Sequence, residues 1–259
     1  MGWWRQKWSD GEGVATYGVL HAVAAAVVLL LGLVLLPAAG GRPAAAGSTS
    51  ALSGYAGILR RRPVLLLGVL RFVPTCYYGT AALLMPLLIY RAAGTASSAA
   101  LYGTASLVFA SLCQLAAGRL CDRVSRTRFV AMVTVLMSVT AVATAWAVTS
   151  LVALYICGLL AAGLAWALAV AVPGLVNDVA SAEEQGRTLA VTHVSWYCGM
   201  VLGTQAAGLL VGLGSGPPFL VAGVFNLLAV AASVLLGRDV GWGRSRPRAV
   251  AAELGGPTD

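Results

Sequence analysis

Arg71 is the residue of this sequence best suited to bind a charged group, because it lies inside a long apolar segment. Thr75 and Tyr78 follow it at helical spacing, so the three side chains share one face of a helix. An arginine within a membrane-spanning helix is costly unless it faces a cavity or a partner group. We therefore expect this face to line a cavity in which Arg71 meets an anionic group. The alternative is that Arg71 extends its guanidinium to the nearer membrane surface.

A second set of candidates lies in a later apolar segment, where His193 and Tyr197 are four residues apart and Thr204 follows on nearly the same face. Histidine is a residue type that proton carriers use, so His193 is a candidate for a coupling role. A lone membrane histidine more often has a hydrogen-bonded packing role, so both interpretations stay open. Gln114 is a further candidate for lining a cavity.

Several kinds of chemistry have no support in the sequence. No aspartate or glutamate lies deep in an apolar segment, and neither His-x-x-x-His nor Gly-x-Ser-x-Gly occurs. The five cysteines have no Cys-x-x-Cys spacing and are expected to be small apolar side chains. We therefore expect no enzyme, no metal site and no cofactor. A retinal protein is excluded because it needs a lysine within a span, and the sole lysine is Lys7.

The composition is that of a membrane protein. Of the 259 residues, 59% are hydrophobic and 10% are charged, and the mean hydropathy is +0.85. Soluble proteins are about 25% charged. The net charge of +8 would favour nucleic acid as the partner of a soluble protein, but here the arginines stand at the ends of apolar segments. We therefore expect the partner to be a lipid bilayer and not nucleic acid.

Seven apolar segments are each long enough to cross the hydrocarbon core of a bilayer, which takes about 20 helical residues. Only Thr149 and Ser150 interrupt the stretch from 129 to 176. An unbroken helix of that length would measure about 70 Å, so the chain must turn back at this pause. The sequence thus predicts an all-α polytopic membrane protein with spans at 14–37, 64–90, 99–117, 129–148, 151–176, 188–213 and 219–237.

Positive charge is distributed unequally between the connecting segments. Seven spans place residues 38–62, 118–128, 177–187 and the tail on one side, and these segments contain thirteen arginines. The other side holds Arg5, Lys7 and Arg91. Because basic loops stay in the cytoplasm, we expect a protein of the cell (inner) membrane with its C-terminus in the cytoplasm and its N-terminus outside.

The densest run of charge, residues 118–128, lies between the third and fourth spans. It resembles a signature of the major facilitator superfamily of secondary transporters, close to Gly-x-Leu-Ala-Asp-Arg-x-Gly-Arg-Arg/Lys. Ser125 stands where the family has its second glycine, and Cys121 takes the alanine position. The alternative is an ordinary cytoplasmic turn rich in arginine. The six positions in register are Gly118, Leu120, Asp122, Arg123, Arg126 and Arg128.

The resemblance implies a twelve-helix protein in two halves, each half a pair of inverted three-helix repeats. We favour the carboxyl half, with the span 14–37 as the sixth family helix. Amino halves usually carry Arg-x-x-Gln-Gly-x-Gly in their fourth helix, and residues 155–163 have neither arginine nor glutamine. The alternative is an amino half with an added leading helix.

The predicted organisation has five parts. They are a polar interfacial N-terminus at 1–13, a transmembrane helix at 14–37, a flexible cytoplasmic linker at 38–63, a six-helix bundle at 64–237 and a cytoplasmic tail at 238–259. The linker ends in three arginines, Arg60 to Arg62, as a bridge between two halves would.

The resemblance further implies secondary active transport of a small solute by alternating access. One six-helix half lacks the wall opposite its cavity, so we expect a second half. This could be a separate amino-terminal half or a second copy of the chain. The alternative from a different class is a non-transporting membrane assembly or regulatory subunit that keeps the scaffold.

By the same resemblance, the signature run acts as an inner gate. Asp122 gains nothing from the C-terminal end of its own helix, so we expect it to meet the N-terminal end of another helix. Arg123, Arg126 and Arg128 are expected to pair with carboxylates of the neighbouring loop, such as Asp178, Glu183 or Glu184.

Glycines recur every four or five residues in the sixth span, a spacing that lets helices approach closely. The set loosely resembles an antiporter motif, Gly-x-x-x-Gly-Pro, with Thr204 in place of the proline. We interpret these residues as helix-packing sites. They are Gly199, Gly203, Gly208 and Gly212.

Overall fold

The computed structural model describes residues 51–242, which form helices joined by short turns, with no strand among them. A 3₁₀ turn at Val211–Leu213 follows the sixth helix. The predicted segments 1–13 and 14–37, residues 38–50 of the linker and most of the tail lie outside the described residues. The helices are α1 (Ala51–Leu59), α2 (Arg62–Ala93), α3 (Ala96–Arg123), α4 (Arg126–Ala147), α5 (Leu151–Val179), α6 (Gln185–Leu210) and α7 (Pro217–Val240).

Six of these helices, α2 to α7, are long and apolar enough to cross a membrane. They coincide within a few residues with the six spans predicted between 64 and 237, so the all-α membrane architecture is confirmed. Helix α1 lies in the segment that was predicted to be a flexible linker. Its sequence is mostly apolar and Ile58 is buried, so packing holds the end of this segment in a helix.

The turns are shorter than predicted, because the polar residues next to each apolar segment continue the helix. The charged run 118–128 is mostly helical: α3 runs to Arg123 and α4 begins at Arg126, which leaves Val124 and Ser125 as the turn. The Ser125 hydroxyl accepts a hydrogen bond from the Arg128 backbone N–H at 3.4 Å. Serine therefore acts as an N-cap at the position where the family has glycine.

The six spans pack as two interleaved trios, α2–α4 and α5–α7. Helix α2 packs mainly on α6 and α7, α5 packs mainly on α3 and α4, and α4 also packs on α7. Exchanging the two trios leaves this pattern unchanged. Because a short turn reverses the chain after every span, α2 and α5 run in opposite directions. This arrangement is the inverted three-helix repeat.

The spans differ widely in burial. In the most apolar stretch of α2, 67% of the residues are buried inside the bundle, against 11% in that of α3 and 17% in that of α6. The largest fully buried side chains come mainly from α2 and α5 and include Leu67, Tyr77, Met85, Leu154 and Leu168. The core therefore lies along α2 and α5, while α3 and α6 present wide uncovered faces.

Glycine brings α2 and α6 close together. A Cβ atom at Gly199 would lie 2.5 Å from the Phe72 carbonyl oxygen, and one at Gly203 would overlap the Cys76 carbonyl group. The Thr80 hydroxyl donates to the Gly203 carbonyl oxygen at 3.2 Å across the same contact. The structure thus places Gly199 and Gly203 where the two backbones meet.

The other two glycines predicted to pack are differently placed. No atom of the described chain lies within 4 Å of a Cβ built at Gly208 or at Gly212. The five-residue step from Gly203 to Gly208 turns them away from the face of α6 that meets α2, and Ala207 is the buried residue that continues that face. They do not serve packing within the described bundle.

We expect Gly203→Leu to lower the free energy of unfolding by at least about 1–3 kcal/mol, because the new side chain must push α6 away from α2. Thermal unfolding of the full chain in detergent measures this. Gly208→Leu is the matched control, since it makes the same change on the same helix in open space. Equal loss of stability in both variants would contradict the close contact.

Candidate functional site

Arg71 is held against α6 by an aromatic ring. Its guanidinium carbon lies 5.8 Å from the centroid of the Trp196 ring, within the range of a cation–π interaction. The residue is 9% exposed, and no carboxylate of the described chain forms an ion pair with it. It lies nine residues into α2, about 13 Å from the helix start. Arg71 therefore lies against the neighbouring helix α6 instead of extending to the membrane surface.

Tyr197 extends this aromatic contact to the uncovered face of α6. The Trp196 and Tyr197 rings meet edge to face with centroids 4.8 Å apart. Tyr197 is 64% exposed, and His193, one turn earlier, is exposed on the same face. The guanidinium of Arg71, two aromatic rings and an imidazole thus follow one another across α2 and α6.

A second aromatic pair joins α2 to α5. The Trp166 indole N–H donates to the Tyr78 hydroxyl at 3.2 Å, and the two rings meet edge to face at 6.5 Å. Both side chains are partly exposed. Tyr78 therefore stands at the edge of the core, where its hydroxyl can also donate a hydrogen bond outward.

Polar side chains lie on the uncovered faces of α3 and α6, within the membrane-spanning segments. His193, Tyr197 and Gln205 are exposed on α6, and Gln114 is partly exposed on α3. None of these four side chains forms a hydrogen bond with another described residue. Lipid cannot hydrogen-bond to such groups, so faces of this kind meet water or another protein surface.

Thr75 does not share the partial exposure of Tyr78, although helical spacing puts the two on one face. It is buried, and its hydroxyl donates to the Arg71 carbonyl oxygen at 2.5 Å. Its Cβ lies only 3.0 Å from the position that a Cβ at Gly199 would take. Thr75 is thus a packing residue between α2 and α6, because its side of α2 is the side that α6 covers.

The charged helix ends gather at one end of the bundle. We call this the arginine-rich end: the start of α2, the α3–α4 turn, the α5–α6 turn and the end of α7. All charged residues of the described chain lie there except Arg71 and Arg91. Two ion pairs fix α2 at this end, Arg61–Glu184 at 2.6 Å and Arg62–Asp239 at 3.2 Å. Glu184 was expected to pair with a signature arginine instead of Arg61, and no pairing was predicted for Asp239.

A third ion pair joins the signature run to α5. An Arg126 guanidinium nitrogen donates to both carboxylate oxygens of Asp178, at 3.0 and 3.2 Å. To reach Asp178, the Arg126 side chain crosses α5 over Gly174, where a Cβ would lie 2.5 Å from Nε. Glycine at this position therefore leaves room for the ion pair. The sequence feature that could have indicated this ion pair is the four-residue spacing of Gly174 and Asp178, which places them one helical turn apart on α5.

The region of the chain that matches a family model includes the run 118–128. The family model of the Major Facilitator Superfamily matches residues 72–254, which is well over half of the chain. The chain belongs to the Major Facilitator Superfamily. Members of this superfamily are transporters, and the chain is a multi-pass membrane protein. Comparisons with curated proteins and with solved structures gave no match.

The residues of the run 118–128 that resemble the superfamily signature differ in their surroundings. Leu120 packs against the core, whereas Gly118 is partly exposed with open space beside it. Asp122 is exposed and forms no ion pair with another described residue, so its expected helix partner is not found there. The remaining three of these residues are Arg123, Arg126 and Arg128.

Of the three signature arginines expected to pair with the neighbouring loop, Arg126 pairs with Asp178 within the described chain. Arg123 and Arg128 are exposed and form no such pair with described carboxylates. The partner depends on position: Arg126 begins α4 directly beside the end of α5. The Arg126–Asp178 pair lies within one six-helix bundle, so it fixes α4 to α5.

We expect Arg126→Gln and Asp178→Asn each to destabilise the bundle by about 1 kcal/mol, because the pair is only partly exposed to water. The double variant should cost little more than either single change. Thermal unfolding of all three variants in detergent measures this coupling. Arg123→Gln is the control, since it removes an exposed arginine three residues before the start of α4, and strictly additive effects would contradict the pair.

Proposed function

We propose that this chain supplies one six-helix half of a secondary transporter that moves a small solute by alternating access. The observation that carries the proposal is the set of polar side chains on α3 and α6, His193, Tyr197, Gln205 and Gln114, which are exposed within membrane spans. A second six-helix half placed over these faces would enclose them in a polar cavity. The second half is a separate amino-terminal half or a second copy of the chain.

The substrate that fits this cavity carries an anionic group. Arg71 supplies a positive charge that the described chain does not neutralise, and Trp196 restrains the guanidinium. An arginine presents several donors in a fixed plane and suits a carboxylate or phosphate group. Tyr78, Tyr197, Gln114 and His193 add hydrogen-bonding groups around this charge.

Residues 64–237 act as the carboxyl half in this proposal, and the span 14–37 takes the place of the sixth family helix. All acidic residues of the described chain lie at the arginine-rich end, so none is placed to carry a proton across the membrane. A carboxylate for proton coupling would then come from the second half.

The arginine-rich end faces the cytoplasm of the cell in this proposal, because basic segments are retained there. Its signature run forms the inner gate against the second half. Asp122, Arg123 and Arg128 are exposed on this surface and available to partner groups. The internal Arg126–Asp178 pair would hold α4 and α5 together as the halves move.

We expect Arg71→Gln to weaken the binding of small organic anions about tenfold to a hundredfold, since it removes a charge-assisted contact of about 1.5–3 kcal/mol. The measurement is the rise in Tm of the full chain with a panel of carboxylates and organic phosphates. The panel is run with and without a candidate second half. Arg91→Gln, at the opposite end of α2, is the control.

Transport itself is measured as uptake of the binding anion into proteoliposomes that hold the full chain and the second half. Uptake that survives Arg71→Gln with unchanged affinity would remove Arg71 from the site and leave the transporter. Absence of uptake with every candidate half, including the chain alone, would favour a non-transporting assembly or regulatory subunit.

We expect Asp122→Asn to loosen the inner gate. A membrane-impermeant maleimide should label Val124→Cys from the cytoplasmic side only, above the background of the five native cysteines. Adding Asp122→Asn should speed this labelling, because the gate stays open longer. Labelling from outside intact cells would overturn the proposed orientation, and an unchanged rate would overturn the role of Asp122.

A further inference from the structure

Two apolar grooves open on the sides of the bundle, and the inverted repeat relates them. The first, of about 170 Å³, lies between α3 and α4 with α5 as its floor. The second, of about 250 Å³, lies between α6 and α7 with α2 as its floor. Exchange of the two trios converts one set of helices into the other.

The two linings are almost entirely apolar. Side chains of the first groove include Cys113, Ala116, Leu120, Phe129, Met132 and Leu164. Those of the second include Phe72, Cys76, Leu202, Ala206, Val221 and Phe225. Both grooves open within the membrane-spanning part of the chain, where the surrounding solvent is lipid. An acyl chain matches such a lining, because it leaves no polar group unsatisfied.

Charge distinguishes the two grooves. On α3 the lining positions Cys113, Ala116 and Leu120 lead to Arg123, which lies three residues further along nearly the same face at the arginine-rich end. Arg128 stands one turn before the lining residue Met132 on α4. Both arginines are exposed.

The other charged groups near this mouth do not cancel the two arginines. Asp122 follows Leu120 by two positions and so lies on the opposite side of α3. Arg126 is engaged with Asp178, and Arg119 adds positive charge to the same end. The second groove ends beside Leu210 and Pro218, at the end of the bundle where Arg91 is the one charged residue of the described chain, and Arg91 does not line the groove.

We propose that the α3–α4 groove is a binding site for an anionic phospholipid. One acyl chain occupies the groove, and the phosphate headgroup lies against Arg123 and Arg128. The groove side of α3 is opposite to Thr104 and Ser111 on its uncovered face, so a second half on that face leaves the groove open to lipid. The site rests on membrane insertion and not on the proposed transport.

The test is native mass spectrometry of the full chain extracted from vesicles of equal phosphatidylglycerol and phosphatidylcholine. We expect preferential retention of phosphatidylglycerol. Arg123→Gln and Arg128→Gln should each reduce this preference about fivefold, which is the effect expected when one arginine near an anionic lipid surface is removed. Arg187→Gln is the matched control, because it removes one arginine from the same end on α6, which does not line the groove.

A second pair of variants tests the groove itself. Ala116→Phe fills the first groove and should abolish retention of phosphatidylglycerol, whereas Ala206→Phe fills the related second groove and should leave it unchanged. Both alanines are exposed, so neither change disturbs the core, and an unchanged Tm verifies this. A third arm adds inorganic phosphate, which should not displace the lipid.

Three results would overturn the proposal. If Arg187→Gln lowers the preference as much as Arg123→Gln, the selectivity comes from diffuse surface charge. If Ala116→Phe leaves retention unchanged, no acyl chain occupies the groove. If inorganic phosphate displaces phosphatidylglycerol, the arginines bind a free anion and not a lipid headgroup.

Discussion

Hydrocarbon cannot hydrogen-bond to protein, and this constraint explains where most polar groups of the described bundle lie. Most buried hydroxyls within the described spans donate to carbonyl oxygens of their own helices, as those of Thr80, Ser138 and Thr144 do. Almost every charge is removed to one end. Arg71 and the polar groups on α3 and α6 do not follow this arrangement, and they therefore mark the face on which the proposed chemistry depends.

The two related helix contacts of the repeat are made in different ways. Between α2 and α6, glycine lets backbone meet backbone at Gly199 and Gly203. Between α3 and α5, glycine instead receives aromatic rings: a Cβ at Gly158 would lie 2.6 Å from the Tyr102 ring, and one at Gly163 would lie 2.7 Å from the Phe109 ring. The shared topology thus tolerates two packing solutions, one tight and one filled by side chains.

Hydropathy was sufficient to predict the six spans, because each must be apolar over the thickness of a membrane. It could not supply the neighbours of each helix. Thr75 lies on the predicted face, but α6 covers that part of it. Likewise, charge identified the signature arginines, but Arg126 is the one that reaches Asp178 because it begins α4 beside the end of α5, where Gly174 leaves room for its side chain. Helical periodicity shows which face of its own helix a residue occupies, but a contact between helices also depends on where the second helix lies.

The interleaving of the two trios affects the order in which the bundle can be assembled during synthesis. Helix α2 leaves the ribosome before α6 and α7 exist, yet these are its main neighbours. The hydrogen bond from Thr80 to Gly203 closes over 123 residues of chain. Until α6 has been inserted, Arg71 has no Trp196 ring beside it. Helices α2, α3 and α4 lie in the bilayer without their most extensive contacts, which are with α5, α6 and α7. Helices α6 and α7 therefore complete the packing of α2, and a chain that ends before α6 leaves α2 without its main neighbours.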